Sequence, residues 1–192
     1  MIAILKYNAG NATSVKNALN RLGCNAVITD NPIQLRLADR VIIPGVGEAG
    51  TAMEYLKKNQ LDRVIISLQQ PVLGICLGLQ IMCSYSEEGN TPCLGIFDNR
   101  VKKFPALDKV PHMGWNNLVN FSGPLLANLP AQPDVYFVHS YYAELSSDTI
   151  ATCNYILPFS AAQQKNNFYV TQFHVEKSAG VGEQILKNFL SL

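Results

Sequence analysis

Few folds accommodate the segment Val72-Leu73-Gly74-Ile75-Cys76-Leu77-Gly78-Leu79-Gln80, in which an apolar run ends at one cysteine and a helical pattern starts at once. A strand that turns directly into a helix must hold the residue at the corner in a strained conformation. Small residues two positions before and after it let the backbones pass. Gly74 and Gly78 stand at those two positions. The pattern predicts a strand over 72–75, a nucleophile elbow at Cys76 and a helix over 77–84. It also places Cys76 at a helix N-terminus, where free N–H groups and the helix dipole stabilise an anion.

A buried cysteine is commonly a small hydrophobe, so the elbow needs a second element before it implies chemistry. That element is Gln172-Phe173-His174-Val175-Glu176-Lys177-Ser178, which carries a base and a carboxylate two residues apart. A thiolate nucleophile needs a base, and the base needs a group to orient it. Cys76, His174 and Glu176 are therefore the expected catalytic triad. Neither His112 nor His139 precedes a carboxylate by two residues, which leaves His174 as the base.

The remaining pattern alternates strands and helices in the first half. Strands are expected over 2–6, 26–29 and 40–43 and helices over 48–58 and 61–68. Val15, Ala18, Leu19 and Leu22 follow one another at helical spacing before Gly23, a C-terminal cap. Such alternation builds a parallel sheet covered on both faces, with its chemistry at the carboxyl ends of the strands. The second half offers short apolar runs at 95–104, 117–120, 136–143, 150–155 and 168–171. These suggest mostly antiparallel strands before a closing helix over 182–190. The fold class expected is α/β, a mostly parallel central sheet flanked by helices with an added antiparallel portion. No linker or repeat divides the chain, so residues 1–192 are expected to form one domain.

Charge narrows the function further. Only 15% of residues are charged and the formal net charge is +1, which disfavours nucleic acid and anionic membrane as partners. The apolar start Met1 to Leu5 lacks the features of a signal peptide, and no run is long enough to span a bilayer. A cytoplasmic location is expected. Five cysteines without a Cys-x-x-Cys pair, and three histidines far apart in sequence, disfavour both disulfides and a metal site. No cofactor is implied. Cys83, seven residues after Cys76, is expected to pack in the core.

Pro44-Gly45-Val46-Gly47, Gly74-Ile75-Cys76-Leu77-Gly78, Pro111-His112-Met113-Gly114-Trp115-Asn116, Tyr136-Phe137-Val138-His139-Ser140-Tyr141 and the segment Gln172 to Ser178 occur in this order. Together they resemble the class I (triad) glutamine amidotransferases over essentially the whole chain. Pro-His-Met-Gly-Trp-Asn combined with Pro-Gly-Val-Gly is similar to one branch, glutaminase subunits that supply ammonia to a (β/α)8-barrel cyclase of histidine biosynthesis. The resemblance implies L-glutamine as substrate and a heterodimer with that cyclase. It implies an oxyanion hole from Leu77 and the Val46-Gly47 loop, whose peptide must rotate to complete it. Gln80, Glu88, Ser140 and Tyr141 would contact the amino and carboxylate ends of glutamine, and His112, Met113, Trp115, Asn116 and Lys177 would face the partner. Members of the family usually carry Pro between the catalytic His and Glu. Valine at 175 also favours extended backbone, so the triad geometry is expected to persist. Two other readings use the same triad: a related subunit for surface-sugar biosynthesis and a stand-alone cysteine hydrolase of γ-glutamyl compounds.

Overall fold

The computed structural model describes all residues from Met1 to Leu192. Strands β1 (Ile2–Leu5), β2 (Ala26–Thr29), β3 (Arg40–Ile43) and β4 (Val72–Ile75) alternate with helices in the first half. The helices are α1 (Ala12–Arg21), α2 (Pro32–Leu37), α3 (Ala49–Lys58), α4 (Leu61–Ile66) and α5 (Leu77–Met82). Their boundaries follow local chemistry. Gly23 takes a left-handed φ of 74° after α1, as a C-terminal glycine does. Asn31 caps α2 by accepting from the N–H groups of Ile33 and Gln34, with Pro32 at the first helical position. Glu48 caps α3 through Gly50 and Thr51. Helix α5 stops at Met82, two residues short of expectation, because Cys83 is extended at ψ 177°. Cys83 lies fully buried in the core.

In the second half come β5 (Tyr85–Ser86), β6 (Thr91–Pro92), β7 (Arg100–Lys103), β8 (His112–Asn117), β9 (Asp134–His139), β10 (Tyr141–Ala143), β11 (Thr149–Tyr155), β12 (Leu157–Lys165) and β13 (Phe168–Thr171), then helix α6 (Ala179–Ser191). Seven strands form the main sheet in the order β11-β12-β13-β4-β3-β1-β2. From β13 to β2 every neighbour is parallel, while β11 and β12 add an antiparallel edge. A four-stranded sheet, β10-β7-β5-β6, and the hairpin-like pair β8-β9 complete the structure. The mostly parallel sheet with an antiparallel addition is as expected; β13 joins the two parts, antiparallel to β12 on one side and parallel to β4 on the other. Around 117–120, where a strand was expected, there is only an isolated bridge from Val119 to Thr152. The strand lies earlier, at His112–Asn117.

The parallel strands are buried on both faces, as a covered sheet requires. Ala3, Leu5, Val41 and Ile43 join one core cluster and Ile4, Ile42, Leu73 and Ile75 the other, the two-residue alternation of a strand. No helix is long and apolar enough to cross a membrane. At the carboxyl ends of β1, β3, β4 and β13 the chain leaves the sheet through Tyr7, Pro44, Cys76 and Gln172. Ligand chemistry in such sheets belongs at this edge.

Candidate active site

Cys76 occupies the corner between β4 and α5 with φ 54° and ψ −104°. A non-glycine residue pays for positive φ with strain, and such outliers gather at functional sites. The two flanking glycines are needed for different contacts. A Cβ on Gly74 would come within 2.9 Å of the Gly78 backbone, and one on Gly78 would overlap the Ile43 carbonyl oxygen of β3. The elbow is pinned from the neighbouring strand, where the Cys76 N–H donates to the Thr171 carbonyl at 2.7 Å.

His174 and Glu176 arrive from the other side, just beyond β13. The His174 N–H donates to the Tyr136 carbonyl at 2.9 Å. His174 is extended (φ −84°, ψ 100°), and Val175 opens a short 3-10 turn that carries Glu176 back towards the imidazole. Val175, expected to favour extended backbone, thus lies in the 3-10 turn, whereas His174 is extended. His174 Nδ1 lies 2.8 Å from Glu176 Oε1, and both side chains are fully buried. Asn11, in the left-handed conformation ahead of α1, donates through Nδ2 to the same carboxylate oxygen. Burial pulls the imidazole pKa down, but the bonds and charges of Cys76 and Glu176 outweigh it and leave the pKa raised. Burial likewise pushes Glu176 up, and the His174 bond and charge, with Asn11 assisting, bring it below the usual carboxylate range. His174 Nε2 is buried without a hydrogen-bond partner, and Cys76 is among the groups that raise the ring's pKa.

In front of the sulfur opens a cleft of about 340 Å³ lined by Val46, Gly47, Cys76, Leu77, Gln80, Glu88, Pro111, Val138, His139, Ser140 and Tyr141. His174 and Glu176 sit behind Cys76, outside this lining. A slightly larger hollow, about 430 Å³, borders Glu176, Lys177 and Arg21 but does not reach Cys76. Gln80 donates through its amide nitrogen to the Tyr141 carbonyl (3.0 Å) and to Gln172 Oε1 (3.1 Å). Glu88 accepts from the Ala49 N–H at 2.8 Å at the start of α3. Its pKa is raised, by burial first and by neighbouring Glu48. The Leu77 N–H, expected to serve an oxyanion, donates instead to the Gly45 carbonyl at 3.3 Å. That carbonyl belongs to the Gly45–Val46 peptide, so the peptide's oxygen, not its N–H, is turned towards the elbow. Gly47 holds φ 121°, open only to glycine without strain.

Met113 and Trp115 are 61% and 54% exposed. Trp115 meets Tyr136 edge-on at 5.9 Å, and the Lys177 ammonium lies 5.9 Å from the same Tyr136 ring. His112 departs from expectation. It is not presented at the surface: its ring is 3% exposed, stacked on Tyr155 at 4.0 Å and on Phe137 at 4.7 Å. Strand alternation turns it inward while its neighbour Met113 points out. Asn116, half-buried, donates to the Asn154 carbonyl at 3.2 Å. Sequence reasoning left out Asn11 and Tyr7. Both lie just after β1, where an Asn-Ala-Gly-Asn turn at a strand's carboxyl end was the available sign.

Residues 4–192 match the family model described as "Glutamine amidotransferase class-I". The imidazole glycerol phosphate synthase subunit HisH of Bacteroides fragilis strain YCH46 is 56% identical, with 100% of this chain and 99% of that protein covered. The subunit of the same name from Pasteurella multocida is 46% identical over 98% and 96%. A crystallised glutamine amidotransferase superposes with a TM-score of 0.73 at 19% identity, covering 99% of this chain and 97% of the other. The elbow, the buried His-Glu pair and these full-length similarities have one common reading: the chain belongs to the class I glutamine amidotransferases, among the HisH subunits of imidazole glycerol phosphate synthase.

Proposed function

We propose that the chain hydrolyses L-glutamine to glutamate and ammonia at Cys76, and passes the ammonia to a (β/α)8-barrel cyclase bound as a heterodimer. The observation that carries this reading is the strained Cys76 corner with a fully buried His174–Glu176 pair behind it. In the first half-reaction Sγ, its proton transferred to His174, attacks the side-chain amide carbon. Collapse of the tetrahedral intermediate expels ammonia, which takes the proton from His174, and leaves a glutamyl thioester. Water, deprotonated by His174, then releases glutamate and returns the proton to the sulfur. Glu176 stays ionised and holds the imidazole in the right tautomer.

The developing oxyanion needs N–H donors. Rotation of the Gly45–Val46 peptide would remove the Gly45 oxygen from Leu77 and turn the Val46 N–H towards the reacting carbon. Until then the hole has neither donor, which accounts for a glutaminase that waits for its partner. Val46 is 38% exposed, so a docked protein can push on the peptide directly. Met113, Trp115 and Lys177 form the proposed contact surface, in keeping with the aromatic anchors of protein interfaces. The relatives' names favour the histidine pathway over sugar biosynthesis. In that pathway the acceptor is a ribulosyl-formimino carboxamide nucleotide, giving imidazole glycerol phosphate and aminoimidazole carboxamide ribotide.

The test is glutamate release by the chain alone, with the cyclase, and with cyclase plus its nucleotide ligand. Large activation only in the complete mixture is expected, and strong activity alone would refute the gating. Cys76→Ala should abolish glutamine-driven synthesis and leave synthesis from ammonium salts intact; loss of both would overturn a purely ammonia-supplying role.

A further inference from the structure

Two buried imidazoles take no part in the mechanism above. His139 Nδ1 lies 2.7 Å from the Tyr141 carbonyl oxygen. A carbonyl only accepts, so Nδ1 carries the hydrogen. His139 Nε2 is 3.0 Å from His112 Nδ1, and His112 Nε2 is 3.3 Å from Asn116 Nδ2. Burial depresses both rings, His112 to about 4 and His139 to about 3, the latter further lowered by its histidine neighbours. Both are therefore neutral near pH 7, and each has one N–H and one lone pair. Only one arrangement then satisfies every partner: Asn116 donates to His112, His112 donates to His139, and His139 donates to the Tyr141 carbonyl.

The two ends of this relay lie in different places. Asn116 belongs to β8, beside exposed Trp115. The Tyr141 carbonyl, which also accepts from Gln80, belongs to the turn between β9 and β10 that lines the cleft. Phe104, Phe137 and Phe159 pack around the pair.

We infer that His112 and His139 are a positioning pair of fixed polarity, through which surface strand β8 sets the 139–141 turn of the substrate cleft. This rests on the reading that the cleft takes glutamine. The first test does not depend on that reading. In the full chain with ring-15N histidine, long-range 1H–15N spectra at pH 7 should show both His112 and His139 as neutral Nδ1–H tautomers. An Nε2–H tautomer at either ring, or an imidazolium, would overturn the relay.

The second test is Asn116→Asp, which sets an acceptor against His112 Nε2. It should switch His112 to the Nε2–H form and raise the half-saturating concentration of a glutamine-mimicking chloroketone that alkylates Cys76. The expected rise is about fivefold, larger than the change in limiting rate. Asn116→Ala removes the donor and the Asn154 contact without supplying an acceptor, and should keep the Nδ1–H tautomer. A tautomer switch with unchanged half-saturation would overturn the positioning role. Failure of the chloroketone to label the parent chain would count against the glutamine reading instead, and the tautomers would still decide the relay.

Discussion

Replacing Glu176 by Gln isolates the charge of the triad carboxylate from its shape. Glu176 Oε1 accepts from two donors, His174 Nδ1 and Asn11 Nδ2, whereas Oε2 is buried with no partner. In the variant the amide oxygen must take the Oε1 position, because an NH2 there would face two N–H groups. The correct histidine tautomer is therefore kept, and what disappears is charge. A charge-assisted hydrogen bond contributes about 1.5–3 kcal/mol and a neutral one about 0.5–1.5, a difference of about 1–2 kcal/mol. At 1.4 kcal/mol per decade this predicts a fall in kcat of about 5- to 30-fold with little change in KM. The far larger loss of about 10⁴ that a triad amide causes by imposing the wrong tautomer should appear only when Asn11→Ala is added and the amide is free to turn. The assay is steady-state glutamate release with the cyclase and its nucleotide ligand present. A kcat within twofold of the parent, or a loss near 10⁴ in the single variant, would refute the argument.

Two further outcomes concern stability. The Gly78 Cβ position coincides with the Ile43 carbonyl of a central strand, which cannot yield, so Gly78→Ala should destabilise by about 1–3 kcal/mol in urea unfolding. Gly180→Ala in α6, where a Cβ meets nothing within 4 Å, should stabilise by about 0.4–1 kcal/mol; equal effects at the two sites would sink the packing argument. The second outcome is a pH profile. The raised His174 pKa contributes stability that is complete below the unfolded value of 6.5 and is lost as pH rises through the folded one. The lowered Glu176 pKa contributes stability present above 4.5 and lost as pH falls through the folded value. The pair is therefore at full strength between pH 4.5 and 6.5, and Glu176→Gln should flatten the alkaline decline in melting temperature. An identical alkaline limb in parent and variant would contradict the coupling.

The elbow was legible because its constraint is local: the two glycines and the cysteine stand within five residues, and only a sharp strand-to-helix turn requires that spacing. Helix α2 was missed although Asn31 and Pro32 are a standard start, because the six residues bury only Leu35 and show no apolar stripe. Strand β12 was missed because Ser160, Ala161, Ala162, Gln163 and Gln164 are poor in strand-forming types; its partners on either side, not its own propensity, make it a strand. His112 was assigned to the surface by its position in a motif with Met113 and Trp115, when two-residue alternation along that motif would have turned it inward. Asn11 lies 165 residues from Glu176, and no local pattern predicts a contact at that separation.

The bonds around the 44–47 loop differ in a way that bears on the proposed gating. Tyr7 Oη, buried at the end of β1, donates to the Pro44 carbonyl at 2.6 Å, while the bond from Leu77 N–H to the next carbonyl, Gly45, is stretched to 3.3 Å. Both are neutral bonds, and length favours the first. The Pro44 side is thus a fixed point and the Gly45–Val46 peptide the part that can move. Glycine stands at the leading end of the moving unit, at 45, and another follows its trailing residue Val46, at 47; Tyr7 Oη and Leu77 leave no room for a side chain at 45. Turning the peptide forfeits one long bond, about 0.5–1 kcal/mol, and that bond alone biases the loop towards rest only about two- to fivefold; a large activation therefore requires the partner to make contacts present only with the rotated form. Partner binding can supply them through exposed Val46. In the proposed gating the long Leu77–Gly45 bond is the one exchanged, and the short Tyr7–Pro44 bond keeps the hinge in register.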